Sequence, residues 1–483
     1  SSGEETIYTR KLLIVDEAPN LMKVSKLSTS VIAACEGMIS TYKPSYELSW
    51  DKPKQTLLST LNYSLRIPFQ KLLRQYKANG SRIAMATSDD FNAAAFDWSK
   101  LDPFCDQLER YAGPRSDEII ETVSVLSKQP AAYQIGQEHE LTVPHCRLFD
   151  IRDDLHTFIL SGSAFLSPEL YENPEVDIHP AVVQESYQRL TIHVQRSDTR
   201  FSVSKTAMAN KTTRNVLTVW LKNKLSGMAG HKVLVVTYKG YAKELWDALS
   251  EFHDRLIPLQ ADDNSGPKES LPYFGGMNGS NRYNEADCVI CAGLGRFDSE
   301  EYFNRALAFD FDGSAWGEFE QACLDPSFRN TDDLACVQKM RNLTMARDLV
   351  QLVFRSTLRN HGGKEPVSLW LIQPPEEVVM HVRESFRDCQ HDEISELPFE
   401  CLSELAAGRT FQGKPTHASK LLKWLADWDG SPILIAEVQG QLGMKPGQWK
   451  EARKNAAVKE AFKHIETDGS GKNCKIKRSE NVA

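Results

Sequence analysis

Three short apolar runs, at 232–237, 286–292 and 367–372, set the tightest limit on how this chain can fold. None of them alternates apolar with polar residues. Each therefore has two faces to bury, the pattern of a strand inside a parallel sheet. Helical spacing fills the intervals, at 213–225 and 241–254 and over a long stretch at about 332–359. Strands alternating with helices of this length predict an α/β domain whose parallel sheet is covered on both faces. A short apolar run at 11–15 and strand-like segments at 157–160 and 189–194 extend the pattern toward the N-terminus.

A chain of 483 residues has room for about three domains, and 41% hydrophobic with 25% charged residues is ordinary globular composition. No apolar run approaches the roughly 18 residues of a membrane span, and no N-terminal stretch has the layout of a signal peptide. The expected setting is a reducing compartment, cytoplasmic or nuclear, without a membrane partner. The net charge of −8 argues against a globally basic coat but leaves room for local basic surfaces. Ten cysteines are scattered along the chain, and the only CxxC, Cys288-Val289-Ile290-Cys291, lies in a run that reads as a buried strand. A structural zinc site takes about four ligands, so reduced, buried thiols are the expectation there.

Texture divides the chain. Residues 1–32 carry the first strand, and 33–146 read as a mainly helical insertion, with helical spacing at 55–79 and 115–128. Strand character returns over 147–205, the alternating pattern occupies 206–412, and Gly413-Lys414-Pro415 reads as a linker. Beyond it, helices are expected at about 417–428, 434–442 and 447–463, then a hairpin turning at Asp468-Gly469-Ser470-Gly471. Three short helices followed by a hairpin predict a winged helix over 413–483.

The first strand ends in chemistry. Leu12-Leu13-Ile14-Val15 runs into Asp16-Glu17. An apolar strand that delivers two acids has the form of a Walker B segment. One carboxylate reaches the nucleotide's metal, and the next orients or deprotonates the attacking water.

Several segments in a fixed order resemble the two-lobed RecA-like helicases and translocases of superfamily 2, over about residues 11–373. Val15-Asp16-Glu17-Ala18-Pro19 looks like motif II, Leu160-Ser161-Gly162-Ser163-Ala164 like motif III, and Val235-Val236-Thr237-Tyr238 like motif IV. The Gly-rich stretch 273–283, with Gly279-Ser280-Asn281, followed by the run to Gly293, looks like motif V. Gln351-Leu352-Val353-Phe354-Arg355-Ser356-Thr357-Leu358-Arg359 looks like motif VI. Gln351, Arg355 and Arg359 recur every four residues, which on a helix is one face.

The resemblance implies a fold and a set of roles. The fold is α/β, with two RecA-like P-loop lobes of which the first is incomplete, a helical insertion and a C-terminal winged-helix domain. The cofactors are ATP and Mg2+, with Asp16 holding the metal through water and Glu17 activating the hydrolytic water. Gln351, Arg355 and Arg359 sense and stabilise the γ-phosphate, either arginine serving as the finger; such a guanidinium is worth about 10³-fold or more in rate. Phe354 stands where the family usually has glycine. Gly279 and Asn281 lie at the nucleotide, while Ser163, Thr237 and Ser280 touch the nucleic acid or couple it to ATP. In the iron–sulfur branch of this superfamily an arch domain occupies the place of the insertion. Its cluster cysteines precede motif II, and Cys35, Cys105 and Cys146 are too dispersed to replace them.

No Gly-x-x-x-x-Gly-Lys-Ser/Thr loop is present. Gly469-Ser470-Gly471-Lys472-Asn473 lacks the first glycine and the metal-binding hydroxyl, and it sits at a hairpin. The expectation is that an upstream segment or a partner chain supplies the phosphate loop, and that this chain alone is inactive; a degenerate lobe is the alternative. In the C-terminal module, Lys450, Arg453 and Lys454 on the third helix and Lys472 and Lys475 on the hairpin suit a helix in the major groove with a backbone-contacting wing. Trp449, beside Leu442 and Met444, reads as core. The basic side chains Lys71, Arg74, Lys77 and Arg82 of the insertion read as a solvated face.

The function these readings converge on is an ATP-dependent helicase or translocase, acting on single-stranded or forked DNA rather than RNA, in replication or processing. A non-catalytic nucleic-acid-binding or scaffold protein with a degenerate helicase fold is the rival.

Overall fold

The computed structural model describes residues 12–16, 21–28, 70, 74, 83–86, 131–135, 139–146, 156–161, 163–179, 186–196, 201–260, 267–277, 282–325, 327–360, 362–398, 400–402, 416–469 and 474–478. The chain is α/β and divides into two compact units. The first comprises 1–180 and 297–344, the second 181–296 and 345–483.

In the first unit, β1 (Leu12–Asp16) pairs in parallel with β6 (His156–Leu160), the register setting Asp16 against Leu160. A separate antiparallel sheet takes the order β2 (Met22–Ser28), β5 (His139–Cys146), β4 (Ala131–Ile135), β3 (Ile83–Ala86). Three of these strands fall within 33–146, where the sequence predicts a mainly helical insertion; its helical stretches 55–79 and 115–128 lie outside the described residues except Gln70 and Arg74, both in helix. Two of the pairings, β2 with β5 and β3 with β4, join partners distant in sequence, about which helical spacing in the intervening segments carries no information, whereas β4 and β5 pair locally, Ile135 opposite His139.

The helices Ser299–Ala308 and Ser314–Leu324 build the apolar core of the first unit around Tyr302, Phe303, Leu307 and Phe319. The long helix Ala335–Val353 starts here, its N-terminus capped by Glu318, whose carboxylate accepts from the amides of Ala335 at 2.5 Å and Cys336 at 2.9 Å.

The second unit holds the five-stranded parallel sheet. Its strands are β7 (Leu190–Gln195), β8 (Val233–Val236), β11 (Cys288–Cys291), β12 (Val367–Ile372) and β13 (Gln390–Ile394). They lie in the order β13-β7-β12-β11-β8, every pair parallel. The three apolar runs form its β8, β11 and β12, and the first two are buried at every residue. β7 belongs to this sheet, so the second unit starts before residue 206, where the alternating region was expected to begin. A two-stranded antiparallel piece, β9 (Leu259–Gln260) with β10 (Pro267–Lys268), lies between β8 and β11 in the chain.

One face of the sheet is packed by the helix Lys211–Ser226. Its Val216, Leu217, Trp220 and Leu221 are buried in a core with Val233, Val235, Ile290 and Trp370. Gln195, at the end of β7, ties three segments together. Its amide nitrogen donates to the carbonyls of Arg196, Ile394 and Glu396, and its amide oxygen accepts from Trp220 Nε1 at 3.1 Å.

Residues 416–478 add the helices His417–Asp427, Ile435–Leu442, Pro446–Ala452 and Ala456–Ala461 and an antiparallel sheet. The sheet's strands are β14 (Ile433–Leu434), β15 (Ile465–Asp468) and β16 (Lys475–Arg478), in the order β14-β16-β15. Leu421, Leu425, Val438, Trp449, Val458 and Ile476 form the core there. The expected single helix over 447–463 is two helices. Asn455 interrupts it, its side chain accepting from Ala457 N at 3.0 Å as the cap of the second piece.

Candidate nucleotide and nucleic-acid sites

Asp16 is the last residue of β1, and its neighbour in register, Leu160, is the last residue of β6. Because the strands are parallel, the chain leaves both at the same end of the sheet. Asp16 and Ser161 therefore stand at the same end of the sheet, the carboxyl end, where open α/β sheets bind ligands. Glu17 lies outside the described residues. Ser163 is buried, and its carbonyl accepts from Leu166 N at 2.9 Å and from Ser167 Oγ at 3.4 Å. Its side chain is therefore not open to solvent.

Thr237, expected at the nucleic acid, is also buried. It stands just past β8, where its hydroxyl donates to Ala292 O at 3.2 Å and its amide to Pro272 O at 3.1 Å. It couples the ends of β8 and β11 and holds the 272–274 segment, with the Phe274 amide donating to Thr237 O at 3.0 Å. Next to it, Tyr238 donates its hydroxyl to Leu294 O at 3.0 Å, and burial pushes the phenol above its ordinary range. Gly293 is required here. Its φ of +127° disfavours a side chain, and an added Cβ would sit 2.7 Å from the Tyr238 ring. Gly279, Ser280 and Asn281 lie outside the described residues. The turn that leads to them, Tyr273–Met277, has Gly275 at φ +82° and Lys239 Nζ 5.7 Å from the Tyr273 ring centroid.

The structure corrects the expectation for Gln351, Arg355 and Arg359. The α-helix ends at Val353, Phe354–Ser356 turn, and Thr357–Arg359 form a separate 3-10 turn. The three side chains therefore do not lie on one face of one helix. Two tertiary forces end it. The Thr357 amide is taken by Ala286 O at 2.8 Å, and the Phe354 ring packs edge-on against Tyr187 and at a tilt against Phe386. Buried Ser356 closes the break, donating through Oγ to Val353 O at 2.6 Å and accepting from Leu358 N at 3.2 Å. Gln351 and Arg355 are half-buried, and Arg359 is exposed.

No protein-family model matches this chain, and no curated protein matches it. Fold and site therefore rest on the residues themselves.

Cys288 and Cys291 lie on β11, both buried, and burial raises both thiols, Cys291 to about 12. Among the described residues no group of three or more His, Cys, Asp or Glu side chains is arranged to hold a metal, and no helix is long and apolar enough to cross a membrane.

The C-terminal residues concentrate positive charge. Over 413–483 there are 13 Lys and Arg against 8 Asp and Glu, in a chain whose net charge is −8. Lys450, Arg453, Lys454, Lys459 and Lys475 are exposed; Lys472 lies outside the described residues. Their surroundings differ. Lys454 pairs with Glu451 at 2.8 Å, Lys463 with Glu460 at 3.0 Å and Lys477 with Glu466 at 2.9 Å. Arg453 lies over the Phe462 ring, 4.4 Å from its centroid. Trp449 is core, edge-on to Phe462 at 6.1 Å. Arg74 of the insertion is exposed, while Lys71, Lys77 and Arg82 lie outside the described residues. The ion pairs, which sequence reasoning missed, rank the cations: among the described residues, Lys450, Lys459 and Lys475 are exposed and make no ion pair with a carboxylate.

Proposed function

We propose that the chain belongs to an ATP-dependent helicase or translocase that works on DNA rather than RNA, single-stranded or forked, in replication or processing. The observation that supports the reading is the register of β1 on β6, because it sets Asp16 opposite Leu160, the residue before Ser161, at one end of the sheet. Asp16 holds Mg2+ of bound ATP through water, Glu17 activates the hydrolytic water, and Arg355 and Arg359 stabilise charge on the γ-phosphate. Gly279 and Asn281 contact the nucleotide. A phosphate-binding loop comes from a further segment or a partner chain.

The C-terminal residues act as a winged helix on the duplex. The strand order β14-β16-β15, with the helix Pro446–Ala452 following the Gly443 turn, supports that reading. Gly443 caps the preceding helix in the left-handed region at φ 63°.

The rival reading, a nucleic-acid-binding scaffold without catalysis, has one observation in its favour: the helix break that separates Gln351 from Arg355 and Arg359. ATP turnover with and without single-stranded and forked DNA distinguishes the two, measured on protein made from the uninterrupted native reading frame with any co-purifying partner. Motor function gives DNA-stimulated hydrolysis that Glu17→Gln abolishes. Hydrolysis unchanged by Glu17→Gln sinks the motor, and DNA binding with no hydrolysis at all supports the scaffold.

A further inference from the structure

Arg189 stands immediately before β7 and spends its guanidinium on main-chain carbonyls. Nη2 donates to the oxygens of Thr357 at 3.0 Å, Leu358 at 2.7 Å and Asn360 at 2.8 Å, and Nη1 reaches Glu365 O at 3.4 Å. Its own carbonyl accepts from Val367 N at 2.8 Å. Backbone and side chain together bracket the stretch from 357 to 367. The carbonyls of a 3-10 turn that ends without continuing into a helix need donors, and a planar guanidinium with five N–H groups can serve several at once. Among the described residues Arg189 makes no ion pair with a carboxylate, so its charge is met by these carbonyl dipoles. Gly363 is part of the arrangement, since a Cβ there would lie 2.8 Å from Arg189 Nη1.

The gathered segment carries Arg359, and Arg355 stands two residues before it. We infer that Arg189 is a positioning residue, fixing through its contacts at 357–365 where Arg355 and Arg359 stand. The inference rests on the phosphate-stabilising role proposed above for those two arginines. Arg189 touches neither nucleotide nor metal; it acts through the turn.

The test uses Arg189→Met, Arg189→Lys, Gly363→Ala, Arg355→Ala and the double variant Arg189→Met/Arg355→Ala. Each, made from the uninterrupted native reading frame with any co-purifying partner, is assayed for DNA-stimulated ATP turnover and for amide hydrogen exchange. Arg189→Met is expected to raise exchange at 357–363 while β8 and β11 stay protected. It should lower kcat by about 10- to 100-fold, the range for a misplaced catalytic group, with KM for ATP within about twofold. Arg189→Lys restores part of the loss. Gly363→Ala, which presses on the guanidinium without removing it, gives a smaller loss of the same kind. The double variant loses less than the product of the two single losses, because part of the Arg189→Met loss runs through Arg355.

Losses that multiply in the double variant, or a kcat that Arg189→Met and Gly363→Ala leave unchanged, overturn the positioning role. Local exchange that rises without any effect on turnover overturns it too, leaving Arg189 structural. Wild-type protein that never hydrolyses ATP fails the motor reading itself; a rise in exchange confined to 357–363 then assigns Arg189 to the turn's structure alone.

Discussion

His193 Nδ1 stands 3.2 Å from Asp392 Oδ2, and the same imidazole stacks on Trp370 at 4.2 Å between centroids. The three residues are register partners across β13, β7 and β12. Lys224, from the helix above, places its ammonium 4.3 Å from the Trp370 centroid. A cation, an aromatic ring, an imidazole and a carboxylate thus share one rung of the parallel sheet. Burial is the main force on both bases and lowers both, and Asp392 opposes it for each.

The His193 ring is held below its ordinary 6.5, with burial first and Lys224 adding to it, so the folded protein favours the neutral imidazole, donating from Nδ1. The unfolded chain then binds more protons below 6.5. Stability from this group is present above pH 6.5 and falls as pH drops from there toward the lower folded-state value. Asp392→Asn removes the opposing influence and should push the His193 titration lower still, read by imidazole NMR. An upward shift would show that Asp392 does not stabilise the protonated ring.

Gln195→Leu should destabilise the second unit by about 2–4 kcal/mol. It strips a buried donor from the carbonyls of Arg196, Ile394 and Glu396 and leaves Trp220 Nε1 without its acceptor. Urea denaturation followed by tryptophan fluorescence measures it, and a loss under about 0.5 kcal/mol would mean that water replaces the lost bonds.

Within the proposed winged helix, Lys450→Ala and Lys459→Ala should each weaken duplex binding and reduce the salt slope by about one counterion. Lys454→Ala should do less, because Glu451 already offsets that charge at 2.8 Å. Fluorescence anisotropy across a salt series gives the slopes. Equal slopes for all three variants and wild type would remove this face from the interface.

Cys288 and Cys291 should resist alkylation at pH 8 in the native protein and react once it unfolds. Both thiols are buried on β11, and burial holds Cys291 near 12, so little thiolate exists. Mass mapping of iodoacetamide adducts checks this, and native-state modification at either position would show that β11 opens.

Much of the parallel sheet was legible in the residues. The runs at 232–237, 286–292 and 367–372 became β8, β11 and β12, and the CxxC lies in a strand as read. The C-terminal helices and hairpin were legible for the same local reasons: apolar spacing, the Gly443 stop and the Gly469 turn at φ +86°. The pairings of β2 with β5 and of β3 with β4 were not, because they join segments tens of residues apart; β4 with β5 is a local pairing, Ile135 opposite His139, that the texture of the segment did not reveal.

The candidate site divides in the same way. That Asp16-Glu17 ends an apolar strand is a local pattern, whereas its neighbour at the sheet end had to come from pairing with β6. Spacing put Gln351, Arg355 and Arg359 on one helix face, but spacing describes only a helix that continues. Ala286 O takes the Thr357 amide and Arg189 takes the carbonyls beyond it, and both lie more than 70 residues upstream. The residues alone determined which segments had to be buried strands, because a continuous apolar run has no polar face to show to water. Where a helix ends, which hydroxyls turn inward and how the strands are ordered were decided only by the tertiary structure, since those depend on hydrogen-bond partners that sequence spacing does not contain.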